Sequence, residues 1–485
     1  MNPIALGSQR ELFVDPYLID TLSGTRLHLH EPVRKETVFR VIEPLENACT
    51  GCYNLVQADG KILVYYRGYH PTGKHEELPE GWAQTQTTNL LVSDDGIHFD
   101  RPDLGLVEAE GSTDNNILIR GAQAHNFCVF LDGNPSAPPE QRFKAIGGEG
   151  RNMLFGFTSP DGLVWESIVD GPLKIEGAFD SVNVPLWDDY VGCYRIFSRY
   201  FEQTGDEGVG VRAIQSCTSD DFIHWTSPEH HVYDEGVPFE HFYTNATTLC
   251  PGAEHILLSF PMRFVPERTK DTKGMDYPGG GISDAVFMTS RDGVHWDRTF
   301  MDAWLRAGLD QRNWTHRNQT PAAGIIPTAP DEWSMYVAEH YGWNTNAVRR
   351  VTVRPHGFAS VRAGYHGGEF LTKPVTFTGS TLFINYSTSA VGSVSVEIQD
   401  AEGRPLDGFA AKDMEPVFGD DLDAPVAWRG GGGQGGAPSG GPGDGEGGTA
   451  GLSSMVNLSR LNGTPVRLRF VLKDADLFSV RFGDS

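Results

Sequence analysis

Glu240 stands in the stretch PFEHFYTN (residues 238–245), with Phe239, Phe242 and Tyr243 around it. A carboxyl group set among aromatic rings is pushed towards its protonated form, as a general acid requires. Asp180, in GAFDSVN, is a second acid just ahead of an apolar run. Glu46 with Asn47, His125 with Asn126, His241, and the stretch RNWTHR (312–317), which ends in Arg317, stand at or just before the starts of similar runs. Arg67 in VYYRGYH, Arg199 in IFSRYF, Arg263 in FPMRF and the pair Glu339–His340 in VAEHYG stand where such runs end. Acids, histidines and arginines gathered at one end of a set of strands would line a charged pocket. Each also has a plainer reading: an arginine at a strand end pairs with a nearby acid, a lone histidine is satisfied in a core, and an aspartate before a strand makes a turn.

What would gather them is a repeat. The stretches VSDDGIHFDR (92–101), TSPDGLVWES (158–167), TSDDFIHWTS (218–227) and TSRDGVHWDR (289–298) are four versions of one pattern. Aligned on Gly96, Gly162, Phe222 and Gly293 they step by 66, 60 and 71 residues. A further step of 64 reaches Gly357 in VTVRPHGFASVRAG (351–364), a copy that has lost Ser, Asp and Trp. Units of this length, each too short to be a domain, signal a repeat architecture. Within each unit, β-branched and aromatic runs are separated by Gly, Asp, Asn and Pro, as in consecutive antiparallel strands. Four strands per unit in five units predict an all-β fold, a five-bladed β-propeller over residues 35–365.

In each unit the Ser-x-Asp-Gly stretch falls between the third and fourth strands. Ser and Asp side chains accept from backbone N–H groups two or three residues on, Gly supplies positive φ, and Trp packs under the turn. Active sites are singular and these turns recur, so they are expected to fasten the blades rather than do chemistry. Beyond residue 365, runs such as KPVTFTGSTLFINYST, GSVSVEIQDAEGRPL and TPVRLRFVLKDADLFSVRFG alternate without that turn, predicting a β-sandwich over 366–485. The Gly-rich tract at 429–451 cannot bury a core and is expected to be flexible. The strand-like runs of residues 1–34 are expected to flank or close the ring.

The totals agree with a large β-protein: 485 residues, 57 Gly, 30 Pro and 27 Phe. A net charge of −25 excludes nucleic acid and anionic membrane surfaces as partners, since both would repel it. No basic-then-apolar leader opens the chain, which points to the cytoplasm unless a leader has been removed. The six cysteines are too sparse for a disulfide framework, and Cys49-x-x-Cys52 lacks a second half-site for zinc.

Five blades with a carboxylate-lined centre, followed by a sandwich, resemble the five-bladed propeller glycosidases, the invertase-like family 32 and the arabinanase-like family 43. The chain carries none of the N-D-P-N-G, R-D-P or E-C-P stretches of the invertase-like family. FVDP (13–16) and FEH (239–241) stand nearest to them. The resemblance implies hydrolysis of a glycosidic bond between two carboxylates, in a furanoside or an acidic sugar. Blade position, rather than any motif match, then selects Glu240 as general acid and Asp180 as nucleophile or base, with Glu46, Asp15 and Glu339 in reserve. Arg67, Arg199, Arg263, His125, His241 and Arg317 would hold hydroxyls or an anionic group. No cofactor is implied, and a central metal ion such as calcium is left open. Sialidases carry related turns, but on six blades and with one more residue between Asp and Gly. Outside hydrolysis stand a carbohydrate-binding propeller without a carboxylate pair, and a metal site built from His125, His241 and Glu240.

Overall fold

The computed structural model describes residues 2–71, 80–202, 210–429 and 457–484. The Gly-rich tract, apart from Arg429, lies outside the described residues. Two compact units form, Glu31–Arg354 and a second built from Met1–His30 with Pro355–Ser485.

The first unit is the five-bladed propeller. Blade one runs Gly51–Ala58, Lys61–Arg67, Thr87–Ser93 and Ile117–Arg120, each strand antiparallel to the next. Blade two runs Cys128–Leu131, Phe143–Gly147, Phe155–Ser159 and Glu166–Ser167. Blade three runs Val184–Asp188, Cys193–Glu202, Val211–Ser219 and Glu229–His230. In blade four the inner strand breaks into His241–Thr244 and Thr248–Cys250, and the second into Ala253–Ser259 and Met262–Val265. Pro261, which has no N–H to give the ladder, and Ala246 at φ 44° stand at those breaks. The third strand is split likewise, into Ile282–Ala285 and Met288–Ser290, and Trp296–Asp297 completes the blade.

Blade five departs from expectation. Its sheet contains Thr320–Pro321, Ile326–Ala329, Glu332–Glu339 and Ala347–Val353, and its outer strand is Val33–Arg40 from the start of the chain. The ring is therefore closed by an N-terminal strand, Val33–Arg40, that begins at the end of the stretch expected to flank or close it. The strands within 1–30 do not close it. Ile4–Gly7, Glu11–Leu12, Ile19–Ser23 and Thr25–Leu29 pair instead with Val375–Phe377, Val466–Gly483, Gly368–Thr372 and Ala359–Ala363. Residues 359–363, expected inside the last blade, thus belong to the second unit, and the propeller ends at 354 rather than 365.

That second unit is a ten-stranded β-structure organised on two long strands, Thr381–Asp400 and Val466–Gly483. Their register slips between Thr388 and Ser393, letting the sheet bend over a core of Phe13, Phe370, Phe470, Val396 and Trp428.

The repeated turns fasten neighbouring blades. Ser93 Oγ accepts from Gly96 N–H at 2.9 Å, and Asp95 Oδ1 accepts from Ile97 and His98 N–H at 2.8 Å. The same set recurs at Ser159–Asp161, Ser219–Asp221 and Ser290–Asp292. Phe222 replaces glycine at φ 66°, a strained conformation offset by burying its ring completely among Phe130, Tyr194 and Trp225. Each of three turn carbonyls then takes a donor from the preceding blade: Tyr336 OH on Gly96, Tyr65 OH on Gly162, and Ser216 Oγ on Gly293.

Candidate active site

Asp180 lies on the connection between blades two and three, just before the inner strand Val184–Asp188. Its side chain is 54% exposed, yet His125 Nε2 sits 3.0 Å from its Oδ1. Burial would raise its pKa, but the His125 hydrogen bond, the charge on that ring, and the guanidiniums of Arg199 and Arg317 outweigh it. They hold the carboxyl well below the usual range. His125 is itself 1% exposed, and its Nδ1 lies 2.5 Å from Gln86 Oε1. Gln86 Nε2 donates to Glu149, which turns its amide oxygen towards the imidazole. Both ring nitrogens of His125 thus face an oxygen acceptor, and the ring is fixed in place against Asp180.

Arg199, Arg212 and Arg317 stand near this carboxylate, with Arg67 linked to Arg317 through Tyr341. Arg67, at the end of blade one's second strand, donates to Cys49 O, Asn126 Oδ1 and Tyr341 OH. Arg317 donates to the same Tyr341 hydroxyl at 2.9 Å. Arg199, Arg212 and Arg317 converge on the ring of Tyr243, their guanidinium carbons 5.5, 4.8 and 5.2 Å from its centroid. Unit charges about 8 Å apart at an effective dielectric of about 20 repel by about 2 kcal/mol, so the cluster persists only because the aromatic faces and Asp180 offset it. His241 accepts from Arg212 N–H at 3.3 Å and lies 3.4 Å from its Nη1, which orients that side chain. Burial, then the charge of Arg212, lowers the pKa of His241.

A cavity of about 740 Å³ opens beside Asp180 and Arg199, walled by Arg151, Asn152, Gln215, Tyr200, Phe201 and His230 among others. Polar hydrogen-bonding groups and aromatic faces alternate around it, a lining suited to a hydroxylated ring.

The other expected residues lie elsewhere. Each oxygen of Glu240 accepts from a guanidinium, Arg263 Nη1 at 3.1 Å and Arg298 Nη2 at 2.7 Å, and two cations favour the ionised form over the protonated one a general acid needs. Glu240 and Arg263 line a separate cavity of about 710 Å³, where Arg263 also forks onto Asp284. Glu46 is buried under Arg101 and Tyr66 OH. Glu339 pairs with Arg349 at 2.9 Å, and His340, at φ 58°, bonds Asp310 and Thr345 O. Asp15 belongs to the second unit, where it accepts from Tyr17 N–H.

The expected metal set of His125, His241 and Glu240 does not converge, since each is engaged in a different network. Ligand atoms of His70, His125 and Glu149 do lie within 4.8 Å of one another. A cation there would have to displace Gln86 or Asp180 from His125. Burial, then Arg67 and His125, holds His70 down at about 2, so it is neutral at any ordinary pH. All six cysteines are free.

Arg212, Tyr243 and Tyr341 are among the site residues not anticipated from sequence, as are Gln86 and the cavity residues Asn152, Gln215 and His230. Two of them stand two places beyond a chosen residue, Tyr243 after His241 and Tyr341 after Glu339.

No family model matches the chain, and neither does any curated protein. Among solved structures, one titled a glycoside hydrolase is 14% identical, covering 67% of this chain and 93% of its own, with a TM-score of 0.43. An N-acetylgalactosamine deacetylase from F. plautii is 12% identical over 68% and 95%, with a TM-score of 0.42. A family 43 arabinoxylan arabinofuranohydrolase from Bacillus subtilis is 10% identical over 93% and 99%, with a TM-score of 0.41. At these values the likeness carries no chemistry.

Proposed function

We propose that the chain is a glycoside hydrolase whose active site is centred on Asp180. The observation carrying this reading is an ionised, solvent-open carboxylate, held by a buried histidine at the wall of a sugar-sized polar cavity. Such a carboxylate is suited to face the anomeric carbon as positive charge develops there, either attacking it or activating water against it, while Glu176, the other carboxyl lining the cavity, would protonate the leaving oxygen. His125 positions Asp180, and its own orientation is set by Gln86. Asn152, Gln215 and His230 supply hydrogen-bonding groups to hydroxyls, and Tyr200 and Phe201 supply flat faces to the ring. Glu240 has no part in this reading, because two guanidiniums occupy it.

A panel of aryl glycosides, furanosides and acidic sugars included, tests the proposal. Wild type is expected to cleave at least one, and Asp180→Asn to lose that activity on the order of 10³-fold or more. Asp180→Asn cleaving at the wild-type rate, or no cleavage of any glycoside, would overturn it, the latter in favour of a binding propeller.

A further inference from the structure

Elsewhere in the propeller several arginines are matched with carboxylates. Arg195 bonds Asp188, Arg350 bonds Glu36 and Glu332, Arg101 bonds Glu46, and Arg263 bonds Asp284 and Glu240. Around Tyr243 the matching fails. Arg199, Arg212 and Arg317 crowd one phenol ring, and none of them has an ion pair among the described residues. The nearby carboxylate is Asp180, already bonded to His125. Arg199 is 6% exposed, and its Nε is buried without a hydrogen-bond partner among the described residues; Arg212 Nε is in the same position. An aromatic face stacks against the plane of a guanidinium but leaves the N–H groups along its edge unsatisfied, and a buried unsatisfied donor is costly. A chain carrying 64 acidic against 39 basic residues has gathered cations here without neutralising them.

We infer that Arg199, Arg212 and Arg317 form a subsite for an oxyanion carried on the sugar, a carboxylate or a sulfate ester, making the substrate an acidic glycan. The inference rests on reading the cavity beside Asp180 as the sugar site. Arg199 lines that cavity together with Asp180, so an anionic substituent on a bound ring is within the reach of its guanidinium. Fork-shaped donors suit the paired oxygens of a carboxylate or sulfate, and the cations behind Arg199 add to its attraction for the anion. Asp180, itself negative, sets the orientation: the substituent lies towards the arginines and the anomeric carbon towards the aspartate.

Calorimetric titration of the full chain with D-glucuronate and D-galacturonate, beside D-glucose and D-galactose, tests this without requiring turnover. The acidic sugars should bind at least about tenfold more tightly, the equivalent of about 1.4 kcal/mol. Galactose 6-sulfate forms the second arm: a stronger preference for it than for the uronates assigns the subsite to sulfate esters, and the reverse assigns it to carboxylates. Arg199→Gln and Arg212→Gln should each reduce the preference severalfold, and Arg212→Lys, which keeps the charge but not the fork, should restore part of it. Equal binding of neutral and acidic sugars by wild type would overturn the inference. So would no measurable binding of any acidic sugar at about 10 mM, or an undiminished preference in the double glutamine variant. Asp180→Asn separates the two proposals. Acidic-sugar binding by a wild type that cleaves nothing, or that cleaves as well after Asp180→Asn, sinks the hydrolase and keeps the subsite, whereas Asp180-dependent cleavage of neutral glycosides alone does the opposite.

Discussion

Asp180 and Glu240 occupy equivalent points in neighbouring blades, each just ahead of an inner strand, and they have opposite surroundings. Both Glu240 oxygens are claimed by guanidiniums, and Arg298, one of the two donors, is 1% exposed. Asp180 takes one bond from a buried histidine and otherwise opens to solvent near Arg199 and Arg212, whose Nε atoms have no hydrogen-bond partner among the described residues. One carboxylate is held between two guanidiniums and the other by a single imidazole. The difference teaches that strand-end position alone does not set an acid's role: the partners that fold against it do.

Breaking the side held by two guanidiniums should cost stability rather than activity. Glu240→Gln leaves the buried Arg298 charge uncompensated, and about 3 kcal/mol of unfolding free energy should be lost in denaturant titration. Activity on a good substrate should stay within a few-fold of wild type.

His231 sharpens the comparison from another direction. It is buried with neither ring nitrogen bonded among the described residues, as Arg199 Nε is, but it stacks on Trp296 at 4.9 Å within the blade packing. Burial holds its pKa at about 3, against an ordinary 6.5. The unfolded chain therefore takes up a proton near pH 6.5 that the folded chain refuses until about pH 3. Stability present above 6.5 is lost as the pH falls through that window. Between pH 6.5 and 5 the loss should be about 2 kcal/mol, and His231→Gln should flatten that slope. An unbonded buried group thus marks a site when it is charged and borders a cavity; a neutral ring inside the packing marks acid sensitivity of the frame.

The smallest effect is expected at the repeated turns. Asp292→Ala removes the acceptor for Val294 and His295 N–H, and about 1 kcal/mol of stability should go with it while kcat and KM stay unchanged.

The blade count was legible because a local turn, Ser-x-Asp-Gly, recurs once per blade and needs nothing distant to form. Ring closure by Val33–Arg40, and the recruitment of residues 4–29 into the second unit, were not legible. Strand pairing across more than 300 residues leaves no mark in periodicity. For the site, strand ends pointed to Arg67, His125, Asp180, Arg199 and Arg317, which the structure brings together. The same rule also selected Glu46, Glu240, Arg263, Glu339 and His340, whose partners come from segments that the sequence does not place beside them. Tyr243 and Tyr341 were passed over because a phenol at a strand end looks like packing until three arginines are seen around it.

The central claim is tested most directly by measuring kcat/KM on one cleaved glycoside for Asp180→Asn and Glu240→Gln side by side. Loss on the order of 10³-fold at Asp180 with less than about a tenfold change at Glu240 is the expected result. Full activity in Asp180→Asn with inactivity in a folded Glu240→Gln would contradict it and move the active site to blade four.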